Sequence, residues 1–255
     1  MTTGKTTQDR FLDGKILLRQ PVKGYRAGID PVFLAAAVPA QAGERVLDMG
    51  CGVGAALLCL AARVPGCLGA GLEIQPDMAA LAQENVAANS CAEGFAVWEG
   101  DVGHPPAALL QQKFGHVMAN PPYFEEDKAS ASPVAAKVVA HVLGAEGLAA
   151  WVQLAARVLS PRGTLTLVYP ASRLADILSA MNKPFGEIRI FPLWPHAGEA
   201  AIRVLVQGKL GSKAPMQVLA GMVLHDAGGS CTQQAGRVLR EGTSIAALAE
   251  KNGKG

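Results

Sequence analysis

Short apolar stretches alternate with longer segments of helical length through the middle of the chain. The apolar stretches predict five buried strands, at residues 44–49, 68–74, 95–99, 114–119 and 164–169. The longer segments predict helices at residues 55–64, 75–89, 148–159 and 172–182. This alternation is typical of an α/β fold with a doubly wound, mostly parallel sheet. Ligands of such sheets bind at the carboxyl ends of the strands.

The two ends of the chain show different patterns from the middle. Strands predicted at residues 187–193 and 201–207 are too close for a helical crossover, so we expect a terminal antiparallel hairpin and a seven-stranded sheet. Near the start, residues 13–20 predict a strand and residues 30–38 a capped helix. We therefore divide the chain into an N-terminal extension (1–40), a core domain (41–210) and a C-terminal extension (211–255). GSKAP and DAGGS interrupt weaker patterns in the last part, which predicts partial mobility.

Composition limits the possible classes of protein. The chain has 255 residues, half of them apolar, enough for one large domain. It has no uncharged apolar run of the roughly 18 residues that a membrane span needs, and its first residues lack the layout of a secretory signal. The five cysteines form no CxxC pair and the five histidines have no paired ligand spacing. We expect a soluble cytoplasmic protein with no metal and no membrane partner.

Charge is unevenly distributed along the chain. Residues 1–30 carry +3, residues 31–180 carry −5 and residues 181–255 carry +4. Four cations of the first segment, Lys15, Arg19, Lys23 and Arg26, are candidates for contacts with the phosphates of a nucleic acid. An ordinary solvated surface is the alternative.

A glycine-rich loop follows the first core strand, in the sequence DMGCGVG. Gly50, Gly52 and Gly54 allow a tight turn from strand to helix and a close approach of the backbone to a ligand. GCGVGA also satisfies the GxGxxA pattern, so a nicotinamide or flavin dinucleotide is an alternative ligand. A purely structural turn is a further alternative.

Acidic residues at three strand ends favour S-adenosyl-L-methionine as the cofactor. Asp48 would attract the cationic amino-acid end of this cofactor, whereas a pyrophosphate would be repelled. Glu73 ends the second core strand, where a carboxylate can accept hydrogen bonds from ribose hydroxyls of either kind of cofactor. Asp101 follows the third core strand, near the expected adenine. Four further residues complete the predicted cofactor site: Cys51, Ile74, Val102 and Asn120.

The tetrapeptide NPPY follows the fourth core strand. An exocyclic amine or amide nitrogen is a poor nucleophile because its lone pair is delocalised. If the Asn120 side-chain oxygen and the Pro121 carbonyl accept its two hydrogens, the lone pair is directed at a methyl donor. Pro121 and Pro122 hold the backbone rigid, and Tyr123 offers a stacking surface that Phe124 can extend. The alternative is a proline-rich turn without a catalytic role.

DMGCGVG, GLEIQP, EGD and NPPY, in this order, resemble the class I S-adenosylmethionine-dependent methyltransferases that act on planar nitrogen. The stretch RFLDGKILLRQPVKGYRAGIDPVFLAAAVP followed by NPPYF resembles the bacterial valine tRNA adenine-N6 methyltransferase family. This resemblance implies a Rossmann-like fold, a tRNA partner, and methylation of the adenosine just 3′ of the anticodon. It also implies that the N-terminal extension closes over the cofactor and substrate through GYRAGID. Four side chains are the expected substrate contacts: Lys23, Arg26, Tyr123 and Phe124.

Other functions share parts of this pattern. Enzymes that methylate a glutamine of peptide release factors also use NPPY, but they carry a separate helical N-terminal domain, and only about 40 residues precede the first core strand here. Guanine-N2 methylation of RNA is a second alternative. A non-catalytic module that binds adenosylmethionine or RNA would be expected to lack Asn120. The segment beyond residue 211 is not part of the minimal tRNA enzyme pattern, which leaves the substrate open.

Overall fold

The computed structural model describes residues 5–23, 26–122 and 145–245, which form eleven strands and seven α-helices. The strands are β1 (Thr6–Phe11), β2 (Ile16–Pro21), β3 (Arg45–Met49), β4 (Leu68–Glu73), β5 (Phe95–Glu99), β6 (Phe114–Ala119), β7 (Leu159–Pro170), β8 (Phe185–Trp194), β9 (Arg203–Leu210), β10 (Gln217–Val218) and β11 (Met222–Val223). The helices are α1 (Asp30–Ala37), α2 (Ala55–Arg63), α3 (Pro76–Ala88), α4 (Ala107–Leu110), α5 (Ala145–Val158), α6 (Leu174–Met181) and α7 (Gln233–Gly236). None of the helices in these ranges is long and apolar enough to cross a membrane.

The central sheet confirms the predicted doubly wound architecture. Seven strands lie in the order β5, β4, β3, β6, β7, β9, β8, and the first five of these are parallel. Strand β9 runs antiparallel to both of its neighbours, β7 and β8, so the predicted terminal hairpin forms with its second strand inside the sheet. The two-residue strands β10 and β11, which the sequence did not predict, extend the sheet to nine strands by pairing with β8.

Two predicted boundaries are wrong for local reasons. The strand expected at residues 13–20 is the second half of an antiparallel hairpin of β1 and β2, and Leu12 and Asp13 make the turn with φ of 51° and 52°. Strand β7 begins at Leu159, five residues before its predicted start. The SPRG sequence is an irregularity inside this strand, because Arg162 takes φ of 63° and the pairing with β6 shifts register there.

Helices α1 and α2 are apolar on nearly every side. All residues from Pro31 to Ala36 and from Ala55 to Ala61 are buried. A helix without a polar face must be covered on both sides. The sheet covers one side, and the β1–β2 hairpin and the segment 222–245 cover the other, since β2 contacts α2 and the short π-helix at residues 237–241 contacts α1. This cover joins the same apolar cluster as the two helices through the following buried residues: Leu12, Ile16, Leu18, Met222, Leu224, Ala235, Val238 and Ile245.

Two asparagines, Asn85 of α3 and Asn89 directly after this helix, fix the hairpin to the core. Asn85 accepts a hydrogen bond from the Arg19 N–H (2.8 Å) and donates one to the Arg19 carbonyl (2.9 Å). Asn89 makes the same pair of bonds with Leu17, at 3.0 and 2.9 Å. Each carboxamide therefore pairs with one residue of β2 as a neighbouring strand would.

Leu18 and Leu17 give a matched test of the cover. Leu18 is fully buried against the helices, whereas Leu17, on the opposite face of β2, is 38% exposed. We expect Leu18→Ala to lower the free energy of unfolding by about 2 to 5 kcal/mol, because it leaves a cavity in the core. Leu17→Ala should change it by about 0.5 kcal/mol or less. Urea unfolding measures both, and equal losses would contradict the description of the hairpin as a cover.

Candidate active site

The register of the sheet brings the predicted site residues together at its carboxyl edge. Met49 at the end of β3 pairs with Leu72 of β4 and with Ala119 of β6, and Glu73 pairs with Glu99 of β5. The residues that follow in each strand are therefore side by side. The glycine loop, Glu73, the segment after Glu99 and the NPPY motif occupy four adjacent strand ends.

The glycine loop adopts a conformation that only glycine takes without strain. Gly50, Gly52 and Gly54 have φ of 65°, 54° and 85°. A Cβ at Gly50 would lie 2.5 Å from the ring of Trp151 in α5, so this position also lacks the space for a side chain. At Gly52 no described atom lies within 4 Å of the Cβ position, so the backbone there borders open space. The loop is thus packed behind Gly50 and open at Gly52.

Glu73 holds this loop in place. Its carboxylate is buried, and Oε2 accepts a hydrogen bond from the Gly52 N–H (2.9 Å). Oε1 accepts one from the Gln75 N–H (2.9 Å) at the start of α3. Because each carboxylate oxygen has two lone pairs, both oxygens can still accept a hydrogen bond from a ligand. The residue predicted to contact a ribose therefore also shapes the glycine loop.

Asp48 is a buried carboxyl group with one oxygen that lacks a partner. It accepts a hydrogen bond from the Leu57 N–H in the first turn of α2, but Oδ2 has no hydrogen bond to any residue in the described ranges. Burial raises the pKa of the Asp48 carboxyl well above its ordinary value, and the negative charge of Glu73 raises this pKa further. A buried carboxylate is costly unless a cation or a donor compensates it. The site is therefore suited to a ligand that brings a positive charge to Asp48.

The residues that follow β4 and β5 border the candidate cofactor site with apolar and polar side chains. Ile74 is 57% exposed directly after Glu73, and Val102 is half-buried after Asp101. Asp101 accepts a hydrogen bond from the Gly103 N–H (3.0 Å), and its other oxygen lies 3.2 Å from His104 Nδ1. Ile74 and Val102 can contact the faces of a planar ring, whereas Asp101 chiefly stabilises its own turn. Cys51 contributes backbone to the loop, and its buried thiol has a raised pKa because of burial and the nearby charges of Asp48 and Glu73.

The NPPY motif starts where it was predicted, at the end of β6. Asn120 is half-buried, Pro121 is buried and Pro122 is exposed. Tyr123 and Phe124 lie outside the described residues. The register places Asn120 beside the glycine loop, because Ala119 and Met49 are paired. The catalytic role of these residues remains a prediction.

The predicted cations of the N-terminal segment mostly have partners within the protein. Arg26 pairs with Asp9 (2.6 Å), Arg19 pairs with Glu84 (3.2 Å), and Lys15 donates to the Glu241 carbonyl (3.1 Å). Lys23 is exposed, with no ion pair among the described residues. Partial exposure leaves Arg19 and Arg26 available for phosphate contacts, so their role in substrate binding remains a prediction.

Sequence reasoning missed Asn85 and Trp151, which support the loop from behind. Asn85 donates a hydrogen bond to the Val53 carbonyl (2.9 Å), and Trp151 packs against Gly50. A signal for Asn85 exists in the sequence, since Asn85 and Asn89 are spaced four apart on the same helix face as the buried Ala82. No group of three His, Cys, Asp or Glu residues within the described ranges is arranged to hold a metal ion.

Comparisons with known proteins agree with this geometry. The sequence model of the methyltransferase small domain family matches residues 28–192. The tRNA1(Val) (adenine(37)-N6)-methyltransferase of Dickeya chrysanthemi is 30% identical over 76% of this chain and 77% of its own length. The protein of the same name from Aeromonas hydrophila is 31% identical over 80% of this chain and 84% of its own. A solved structure described as a predicted O-methyltransferase, from Agrobacterium tumefaciens, aligns with a TM-score of 0.70 and 26% identity over 85% of this chain and 98% of its own.

The match to the family model covers well over half of the chain, and the sheet order and the carboxyl-edge site agree with it. The chain therefore belongs to the methyltransferase small domain family and, with the bacterial tRNA1(Val) (adenine(37)-N6)-methyltransferases, to the class I methyltransferases.

Proposed function

We propose that the protein transfers a methyl group from S-adenosyl-L-methionine to the exocyclic N6 of an adenine in RNA, with a tRNA anticodon-loop adenosine as the preferred acceptor. The observation that carries this proposal is the position of Asn120, which directly follows β6 and lies beside the glycine loop. The relatives from Dickeya chrysanthemi and Aeromonas hydrophila are named as adenine-N6 methyltransferases of a tRNA. These names support tRNA as the substrate and adenine as the methyl acceptor. A tRNA substrate would place the activity in the cytoplasm.

The residues at the carboxyl edge fit the cofactor. Oδ2 of Asp48 is buried without a hydrogen-bond partner among the described residues, which suits the ammonium group of the cofactor's methionine part. The open space at Gly52 lets the cofactor approach the backbone, and Glu73 retains lone pairs for the ribose hydroxyls. Ile74 offers an exposed apolar surface for the adenine. When bound, the cofactor supplies an electrophilic methyl group on a sulfonium.

The protein's part in the reaction is to orient the acceptor nitrogen. The Asn120 side-chain oxygen and the Pro121 carbonyl would accept the two amine hydrogens and direct the nitrogen lone pair at the methyl group. Pro121 is buried, its ring fixes its φ and the following Pro122 restricts its ψ, so its carbonyl keeps one direction without reorganisation. Tyr123 would stack on the acceptor base, which contributes about 1 to 3 kcal/mol in single-stranded complexes. The arrangement needs no strong general base, because the proton can leave after transfer.

The product identifies the substrate. Incubation with tritiated S-adenosylmethionine and total tRNA that lacks the modification, followed by digestion to nucleosides, should place the label in N6-methyladenosine. Label in N2-methylguanosine, or in a glutamine of an added peptide release factor, would reject the adenine assignment and select one of the alternatives.

The variant Asn120→Ala tests the orientation mechanism. We expect its single-turnover rate to fall by about two to three orders of magnitude, which is typical for loss of one preorganised polar group. Cofactor affinity measured by calorimetry should stay near that of the wild type, because the amide acts on the acceptor. Methyl transfer at close to the wild-type rate would rule the mechanism out.

Glu73→Gln tests the cofactor site, with Glu99→Gln as its control on the neighbouring strand end. The glutamine keeps one acceptor oxygen but turns an NH₂ group toward a backbone N–H that the carboxylate now binds. Affinity for S-adenosylmethionine should fall by the equivalent of about 1 to 3 kcal/mol. Glu99 is exposed and its variant should bind normally. Unchanged affinity in a folded Glu73→Gln protein would show that this carboxylate does not contact the cofactor.

Asp48→Asn tests the uncompensated carboxyl group through the dependence of stability on pH. The unfolded chain loses this proton near pH 3.9, whereas the folded protein, in which the pKa is raised, retains it to higher pH. The protonated Asp48 carboxyl therefore contributes to the stability of the cofactor-free protein at low pH, and this contribution is lost as the pH rises above about 4. Asp48→Asn should unfold at a higher urea concentration at neutral pH and bind the cofactor more weakly.

Asp101→Asn, at a half-exposed carboxylate, is the control for the measurement of stability. A lower stability of Asp48→Asn at neutral pH would contradict this reading.

A further inference from the structure

Two side chains hold the glycine loop at its centre. Glu73 accepts the Gly52 N–H from one side, and Asn85 donates through Nδ2 to the Val53 carbonyl, at 2.9 Å, from the other. Among the other bonds of the loop, the Gly50 and Cys51 N–H groups donate to the Leu72 carbonyl, and the Gly54 N–H and the Cys51 thiol donate to carbonyls within the loop itself. Asn85 is fully buried in the middle of α3. It is therefore placed to support the loop without touching the open side at Gly52.

The same carboxamide holds the N-terminal hairpin. Oδ1 of Asn85 accepts the Arg19 N–H at 2.8 Å, and Nδ2 donates to the Arg19 carbonyl at 2.9 Å as well as to Val53. Both amide hydrogens and the oxygen are thus used, and one planar group joins β2, α3 and the loop. Because the carboxamide is planar, any rotation of it that follows a displacement of β2 also changes the geometry of its bond to Val53.

The hairpin in turn fixes the segment that leads into α1. Gln20, the next residue of β2, accepts the Ala27 N–H at 2.7 Å and donates to Asp9 at 2.7 Å. Asp9 also pairs with Arg26, at 2.6 Å. The position of β2 on α3 is therefore linked by hydrogen bonds both to the backbone at residues 26–27 and to the glycine loop.

Asn89 provides an internal comparison. It pairs with the N–H and carbonyl of Leu17 at 3.0 and 2.9 Å, as Asn85 pairs with Arg19. Its second amide hydrogen, however, goes to the Asn85 carbonyl of the preceding helix, α3, at 2.7 Å. Asn89 therefore holds the hairpin without any bond to the glycine loop.

We propose that Asn85 is a positioning residue that couples docking of the N-terminal hairpin to the shape of the cofactor loop. The loop adopts its ligand-binding conformation only when β2 is docked, so the hairpin is part of the cofactor site although it lies behind it. The inference rests on the proposed binding of S-adenosylmethionine at this loop. It predicts that loss of Asn85 weakens cofactor binding through the loop, without loss of a contact to the cofactor.

Asn85→Ala and Asn89→Ala separate this coupling from hairpin docking. Each variant leaves one pair of β2 backbone groups unsatisfied, so both should unfold at similarly reduced urea concentrations. Only Asn85→Ala releases the Val53 carbonyl. Without cofactor, the amides of Gly52 and Gly54 should exchange hydrogen faster in Asn85→Ala than in Asn89→Ala. Calorimetry should show an affinity for S-adenosylmethionine about tenfold lower in Asn85→Ala than in Asn89→Ala.

Equal loop exchange and equal cofactor affinity in the two variants would overturn the proposal. If Asn85→Ala does not fold, native-state hydrogen exchange of the wild type decides instead. The Arg19 and Gly52 amides should then open with the same free energy and the same dependence on urea, and separate opening of the two would overturn the coupling. A wild type that does not bind S-adenosylmethionine would contradict the proposed function, whereas the exchange comparison without cofactor would still test the coupling.

Discussion

Helix α2 has no polar side until Arg63, and this constraint shapes the architecture around the site. An apolar helix such as this one, which begins at Ala55, must be covered on the side away from the sheet, and the chain supplies this cover from segments near both of its ends. The β1–β2 hairpin and the segment 222–245 join one apolar cluster with α1 and α2. The parts described from sequence as extensions thus include core residues, and the start of α2, where the glycine loop ends, is held from both faces.

The buried acidic groups near the start of α2 would be stabilised by a bound cationic ligand. Asp48 and Glu73 place two buried carboxyl groups close to each other, and the pKa of Asp48 is raised by burial and by the charge of Glu73. Glu73 is compensated by two backbone N–H groups, whereas Asp48 receives one, from Leu57. The uncompensated oxygen of Asp48 costs free energy in the folded protein, and a cationic ligand group would reduce this cost.

The sequence predicted those features that local patterns determine. Strands β5 and β6 have their predicted bounds, and Asp48, Glu73 and Asn120 lie at the expected strand ends because each directly precedes or follows a strongly apolar run. It did not predict β1, since six mostly exposed residues carry no periodic apolar signal and depend on pairing with β2. The contacts of Asn85 with Arg19 and Val53 were also missed, because they join segments 66 and 32 positions apart. Such contacts follow from the tertiary packing and not from any local pattern.

The carboxyl edge of the sheet therefore combines a packed loop, an uncompensated acid and an amide on a rigid proline turn, and these suit methyl transfer to a planar nitrogen. The most direct test is a crystal structure with S-adenosylhomocysteine and adenosine bound. We expect the adenosine N6 to lie within hydrogen-bond distance of the Asn120 side-chain oxygen and the Pro121 carbonyl, and to face the cofactor sulfur. An adenosine whose N6 points away from Asn120, or a cofactor bound away from the glycine loop, would contradict it.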